Sequence, residues 1–96
     1  MSKYILLLNW TDQGVKTVKD SANRYDAAKE IAKKSGCTLE SIYMTFGAYD
    51  LVCVLDAPND EAAATFTLRA TSGGNIRGTT LKAFPEADYR KIIAGV

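Results

Sequence analysis

The period of hydrophobic and polar positions changes along the chain, and each change marks an element. Residues 3–10 are apolar on both alternating sets, with Tyr4, Leu6, Leu8 and Trp10 on one and Ile5 and Leu7 on the other. That is how a strand covered on both faces reads. Thr11 or Asp12 can cap a short helix, and Lys19-Asp20-Ser21 marks a second helix start. From Ser21 to Ser35 the positions Ala22, Tyr25, Ala28, Ile31 and Ala32 fall at helical spacing, while Lys29, Lys33 and Lys34 face water. Gly36 ends this helix as a left-handed cap, with lysines in the last turn suiting the helix dipole.

Residues 38–46 read as a second strand, where Ile42, Met44 and Phe46 alternate with Ser41, Tyr43 and Thr45. Gly47-Ala48 turns the chain into a third strand over residues 49–56, rich in β-branched and apolar side chains. Strands joined by so short a turn are antiparallel neighbours. Pro58-Asn59-Asp60-Glu61 combines a proline, a capping residue and acids near a positive dipole end. It opens a helix over Ala62 to Ala70 with Phe66 and Leu68 among its apolar positions, broken by Ser72-Gly73-Gly74. Residues 75–84 form a fourth strand, and Pro85 opens a C-terminal helix with Tyr89, Ile92 and Ile93 on one face.

The order βαββαβ plus a final helix is the ferredoxin-like pattern: α+β, one antiparallel four-stranded sheet, the two main helices on one face. Residues 1–96 fit a single domain with a thin core. Tyr4, Leu6, Leu8, Ile42, Met44, Phe46, Leu51, Cys53 and Leu55 form the more uniformly apolar set and belong under the helices. The opposite set mixes Ile5, Leu7, Val52, Val54 and Leu81 with Asn9, Tyr43, Thr45, Asp50, Arg77 and Thr79. Contiguous apolar patches of that size are uncommon on monomers. The expectation is a two-fold dimer packed through this open face, with its polar members at the margins of a partly apolar pocket.

Composition narrows the chemistry. Hydrophobic residues are 47% and charged residues 24%, so the chain has the composition of a folded globular protein and not of a disordered one. A net charge of +1 gives no field for non-specific nucleic-acid binding, and no run of like charge supplies one locally. There is no histidine, which excludes Ser-His-Asp and Cys-His nucleophiles, His-ligated zinc and proximal-His haem. Two cysteines, Cys37 and Cys53, are too few for a zinc site and read as reduced thiols. The first apolar run is too short for a signal peptide, and no segment approaches a membrane span. A cytoplasmic protein that binds no membrane, nucleic acid, metal or cofactor is expected.

Several residues admit both a plain and a functional role. Gly47 suits a turn that needs positive φ. Asp50 can accept bonds from loop amides, or it can pair with Arg77 or a ligand cation. Arg77 can be solvated, or it can hold an anion with its guanidinium fork. Trp10 belongs to the core or an interface, and Tyr43 to an interface or a ligand contact. Asn9 is polar on a central strand and needs hydrogen-bond partners if buried. Nothing near Cys53 lowers its pKa, and Gly73-Gly74 lacks the Gly-Lys-Ser/Thr ending of a phosphate loop.

The segment Met44-Thr45-Phe46-Gly47-Ala48-Tyr49-Asp50-Leu51-Val52 resembles the signature of the GYD domain family, named for its Gly-x-Tyr-Asp element. Further matching stretches are residues 8–14, 57–63 and 75–84. The resemblance implies a bacterial or archaeal protein with a dimeric α/β-barrel form of the ferredoxin-like fold, and it supplies no reaction. The same turn is more distantly similar to one in Lrp/AsnC-type effector domains, which oligomerise and bind amino acids at subunit contacts. Their helix-turn-helix segment is absent, so DNA binding does not carry over.

Asn9, Trp10, Tyr43, Tyr49, Asp50 and Arg77 are the candidate ligand-binding residues. The favoured function is a homo-oligomeric module that binds a small molecule, between the sheet and helix layers or at the subunit contact. The alternatives are a cofactor-independent enzyme of monooxygenase or isomerase type, with Asp50 and Tyr43 moving a proton, and a purely structural subunit.

Overall fold

A computed structural model describes residues 1–96. The elements are β1 (Ser2–Trp10), α1 (Asp12–Lys16), a 3-10 turn (Val18–Asp20), α2 (Ser21–Lys34), β2 (Thr38–Met44), β3 (Leu51–Ala57), α3 (Asp60–Thr71), β4 (Ile76–Ala83) and α4 (Glu86–Ala94). The sheet order is β2-β3-β1-β4, every pair antiparallel. This is the ferredoxin-like arrangement expected from the sequence, with β1 and β3 central.

The helix starts are set by local chemistry. The Thr11 hydroxyl accepts from the Gly14 amide at 3.1 Å, and Asn59 Oδ1 accepts from the Ala62 amide at 2.8 Å. Each satisfies an amide that the first turn leaves unpaired. Gly14 matters for a second reason: a Cβ there would fall 2.1 Å from the Asn75 carbonyl oxygen. Only glycine lets α1 lie against the α3–β4 connection, where the Thr11 amide donates to the same carbonyl at 3.0 Å.

The core lies between the sheet and the paired helices α2 and α3. Tyr4, Leu6 and Leu8 of β1 and Leu51, Cys53, Leu55 and Ala57 of β3 meet Ala32, Ala63 and Phe66 from the helices. Phe66 and Leu55 are the largest fully buried side chains, each contributing roughly 1.5–3 kcal/mol of burial free energy. Both cysteines are buried and free.

The other face of the sheet has no helix on it. Across β4, β1, β3 and β2 its rows read Leu81, Ile5, Val54, Ser41 and then Thr79, Leu7, Val52, Tyr43. Asn9 and Arg77 pair at one end, and at the other the Lys3 ammonium bridges Glu40 and Asp56. The register thus reproduces the mixed face read from the sequence, except that Thr45 and Asp50 lie in the 45–50 loop and not on a strand. Cross-strand neighbours bring the apolar members side by side.

Several expectations need correction. β2 stops at Met44 and β3 starts at Leu51, so residues 45–50 form a loop and not a two-residue turn. The Thr45 amide donates to the Asp50 carbonyl at 2.8 Å, its hydroxyl donates to the Tyr49 carbonyl, and Gly47 takes φ +149°. Phe46 therefore leaves the strand and is 96% exposed, and Met44, at the end of an edge strand, is also exposed. Neither joins the core. On α2, Ala22 is exposed, and the inward stripe begins with Ser21 and Arg24 before the expected Tyr25, Ala28, Ile31 and Ala32. On α3, Leu68 points to solvent, and the helix runs one residue or more beyond both expected ends. The C-terminal helix forms as expected, yet none of its residues is buried.

Candidate functional site

An apolar cleft lies under the helices. Its floor is Leu6 and Leu8 of β1, Leu51 and Cys53 of β3, Leu39 and Ile42 of β2, and Ile76 of β4. Its walls are the first half of α2 (Ser21, Arg24, Tyr25, Ala28) and the second half of α3 (Phe66, Thr67, Ala70, Thr71). The cavity volume is about 90 Å³, and 11 of the 15 lining residues are hydrophobic. Toward the other end of each helix, Ala32 and Ala63 are fully packed. Ala28 and Ala70 are also small, but there the space remains open. Apolar walls with a few polar groups along them are the usual build of a small-molecule pocket.

The polar groups have assigned partners. Ser21 Oγ accepts from the Trp10 indole at 3.3 Å. Arg24 Nη1 donates to the Thr17 carbonyl at 2.9 Å and its hydroxyl at 3.1 Å, and Nη2 donates to the Gly14 carbonyl at 3.2 Å. Thr67 and Thr71 donate their hydroxyls to helix carbonyls one turn back. Burial pushes the Cys53 thiol up to about 11 and also raises Tyr25, so both stay neutral near pH 7. The cleft holds neither an activated nucleophile nor a carboxylate.

The six sequence candidates do not converge there. Asn9, Tyr43 and Arg77 lie on the open face, Asn9 paired in register with Arg77, and Tyr43 next to Val52. Trp10 packs beside the core and borders the cleft through its strand partner Ile76 and its bond to Ser21, without lining it. Tyr49 belongs to the 45–50 loop, where its carbonyl accepts from Thr45. Asp50 holds that loop to the end of β1: its Oδ2 accepts from the Trp10 amide at 3.0 Å, and its own amide donates to the Leu8 carbonyl at 2.9 Å. No ion pair joins it to Arg77. Sequence reasoning missed Arg24, Ala70, Thr67 and Thr71 as pocket residues. The spacing Ser21, Arg24, Tyr25, Ala28 would have placed Arg24 on the inward stripe, had a charged residue been admitted to it.

Two further clusters stand outside the cleft. The Tyr4 hydroxyl donates to Asp60, and Lys82 donates to the same carboxylate at 2.9 Å. These bonds, Tyr4 first, hold the Asp60 carboxyl below its ordinary value and raise Tyr4 and Lys82. At the Lys3 cluster, Asp56 is likewise lowered, by hydrogen bonding with Glu40 and then with Lys3.

No helix of the structure is long and apolar enough to cross a membrane. The fold is similar to that of a feast or famine regulatory protein from M. tuberculosis, complexed with L-methionine. The TM-score is 0.68 at 15% identity, covering 88% of this chain and 51% of that one. The chain thus spans about half the length of that regulator, and the likeness concerns the fold alone. A structure from Thermus thermophilus matches with TM-score 0.56 and 21% identity over 88% of this chain and 95% of its own. By sequence, a Thermus thermophilus protein described as "glutamine synthetase and cystathionine beta-lyase binding protein" is 32% identical over 89 residues, 92% of this chain and 94% of that protein. The GYD domain model matches residues 4–93. With nearly the whole chain matched and a relative of that similarity over nearly its whole length, the chain belongs to the GYD domain family.

Proposed function

We propose that the chain is a homo-oligomeric binding module that holds a small apolar molecule in the cleft between its sheet and the α2 and α3 helices. The observation that carries this is the cleft itself: apolar walls, space left open beside Ala28 and Ala70, and no activated acid, base or nucleophile among its lining residues. Asp50 and Tyr43, which proton transfer without a cofactor would use, do not line it. The relative's description as a binding protein supports binding over turnover. A second copy packed on the open face would cover Ile5, Leu7, Val52, Val54 and Leu81, and it would bring two sets of Asn9, Tyr43 and Arg77 to the contact.

The test uses N-phenyl-1-naphthylamine, an uncharged dye whose fluorescence rises in apolar sites. One dye per chain should bind, and Ala70→Phe, which fills the cleft, should abolish the signal while the chain stays folded by circular dichroism. Equal dye binding by the folded variant would refute the cleft as the site.

Phe46 favours a second reading. An aromatic side chain 96% exposed on a braced loop is the kind of anchor that protein interfaces use. In that reading the 45–50 loop docks on an enzyme, glutamine synthetase being the first to try given the relative's description. Phe46→Ser would then weaken surface-plasmon binding to the host's glutamine synthetase at least tenfold and leave dye binding unchanged.

A further inference from the structure

Arg24 is the one charged side chain in the lining of the cleft. Its guanidinium makes three hydrogen bonds, all to neutral oxygens: the Thr17 carbonyl, the Thr17 hydroxyl and the Gly14 carbonyl. No carboxylate lies within ion-pair distance of it, although five other basic residues, Lys3, Lys29, Lys33, Lys82 and Arg90, each have one. A guanidinium offers five N–H donors and keeps its charge at all working pH. Here the charge is uncompensated beside an apolar wall, where a counter-ion gains more than it would in open water.

Two features of the surroundings point the same way. Arg24 lies in the first turn of a 14-residue helix, the end where the backbone dipole favours negative charge; the acid at that end is Asp20 at the N-cap, which makes no capping bond and no ion pair with Arg24. The other polar groups of the lining, Ser21, Thr67 and Thr71, are hydroxyls and uncharged. An amphiphile entering the cleft therefore meets a single cation and no anion.

We propose that the ligand is a small monocarboxylate with an apolar tail, its carboxylate held by Arg24 and its tail lying over Leu8, Leu51 and Phe66. The inference rests on the cleft reading given above and adds the head group. Three of the five N–H donors are taken, so two remain to make charge-assisted hydrogen bonds to the carboxylate while the ties to Thr17 and Gly14 persist.

The experiment is an NMR titration of the full chain with hexanoate, hexan-1-ol and hexylamine, which share a tail and differ in head group. Amide shifts of Tyr25, Ala28 and Ala70 report the cleft, and those of Gly14 and Thr17 report α1. Hexanoate should bind about tenfold more tightly than hexan-1-ol, with hexylamine weakest, given a partly exposed charge-assisted contact. Arg24→Gln should bring hexanoate down to the affinity of hexan-1-ol and leave the alcohol within twofold. Arg24→Lys keeps the charge and should retain most of the preference, which separates loss of charge from loss of the α1 tie.

Hexan-1-ol shifting the cleft amides with hexanoate no tighter would overturn the head-group inference while leaving the cleft standing. So would a preference for hexanoate that survives intact in Arg24→Gln. Absence of cleft shifts with all three at millimolar concentration would overturn the cleft reading, and the inference with it.

Discussion

If the cleft is kept open for a ligand, filling it should stabilise the empty protein. Ala70→Leu is the direct perturbation. A leucine on a helix leans toward the N-terminal turn, which from position 70 carries it over Phe66 and Thr67 and into the open volume. At about 24 cal/mol per Å³ of unfilled volume, the 90 Å³ cavity corresponds to about 2 kcal/mol. The cleft is open to water on one side, so the realised gain should be nearer 1 kcal/mol, a rise of roughly 4–8 °C in Tm for a domain of this size. The control is the same substitution nearer the start of the helix, where the space is filled. Ala63 is 2% exposed, and Ala63→Leu should cost about 1–3 kcal/mol by overpacking. Urea melts of the three proteins, monitored by far-UV circular dichroism, give both signs in one experiment. If Ala70→Leu destabilised as Ala63→Leu does, the cleft would be collapsed in solution and the reasoning from its volume would fail.

Other outcomes follow from the same geometry. In the proposed dimer, Val52→Asp would place two charges, related by the two-fold axis, against the apolar rows of Leu7 and Tyr43, so sedimentation should show at least a thousandfold weaker association with the monomer still folded. An unchanged dimer would show that the open face is not the contact. Asp50→Ala removes the acceptor of the Trp10 amide and should cost about 1–2 kcal/mol in urea midpoint analysis, whereas Asp50→Asn, which keeps an acceptor, should cost less than half of that. Asp60 has a folded-state pKa held below its ordinary 3.8, so its contribution is full above that value and is lost as pH falls through the folded value. Stability measured from about pH 5 down to about pH 2 should therefore decline less steeply in Asp60→Asn than in wild type.

Much of the fold was legible because β1 and β3 carry their pattern on both faces. Leu6 with Cys53, and Leu7 with Val52, sort themselves by alternation alone, and the capping residues Thr11 and Asn59 announce the helix starts. The 45–50 loop was not legible, because Phe46 continues the alternation of β2 while the bonds from Thr45 to Asp50 and Tyr49 end the strand before it. A hydrophobic period cannot register a side-chain bond that competes with the ladder. A pocket between the sheet and helix layers was one of the two expected places, but its lining residues were missed for a related reason. Its openness depends on where two helices leave room, and Ala28 and Ala32 look alike in sequence although one borders a cavity and the other is fully packed. Arg24 was overlooked because a charged residue on an inward stripe is read as facing solvent. The backbone role of Asp50, by contrast, is legible, since a carboxylate beside a tight loop usually finds an amide.

Pairing of two copies through the open sheet face, each holding a small molecule in its cleft, is the central claim. Native mass spectrometry of protein purified from its own host at micromolar concentration tests both parts together. The prediction is a dimer of twice the 10.4 kDa chain, carrying one small-molecule adduct per chain that Ala70→Phe does not retain. A monomer without adduct, from protein shown to be folded, would contradict both parts.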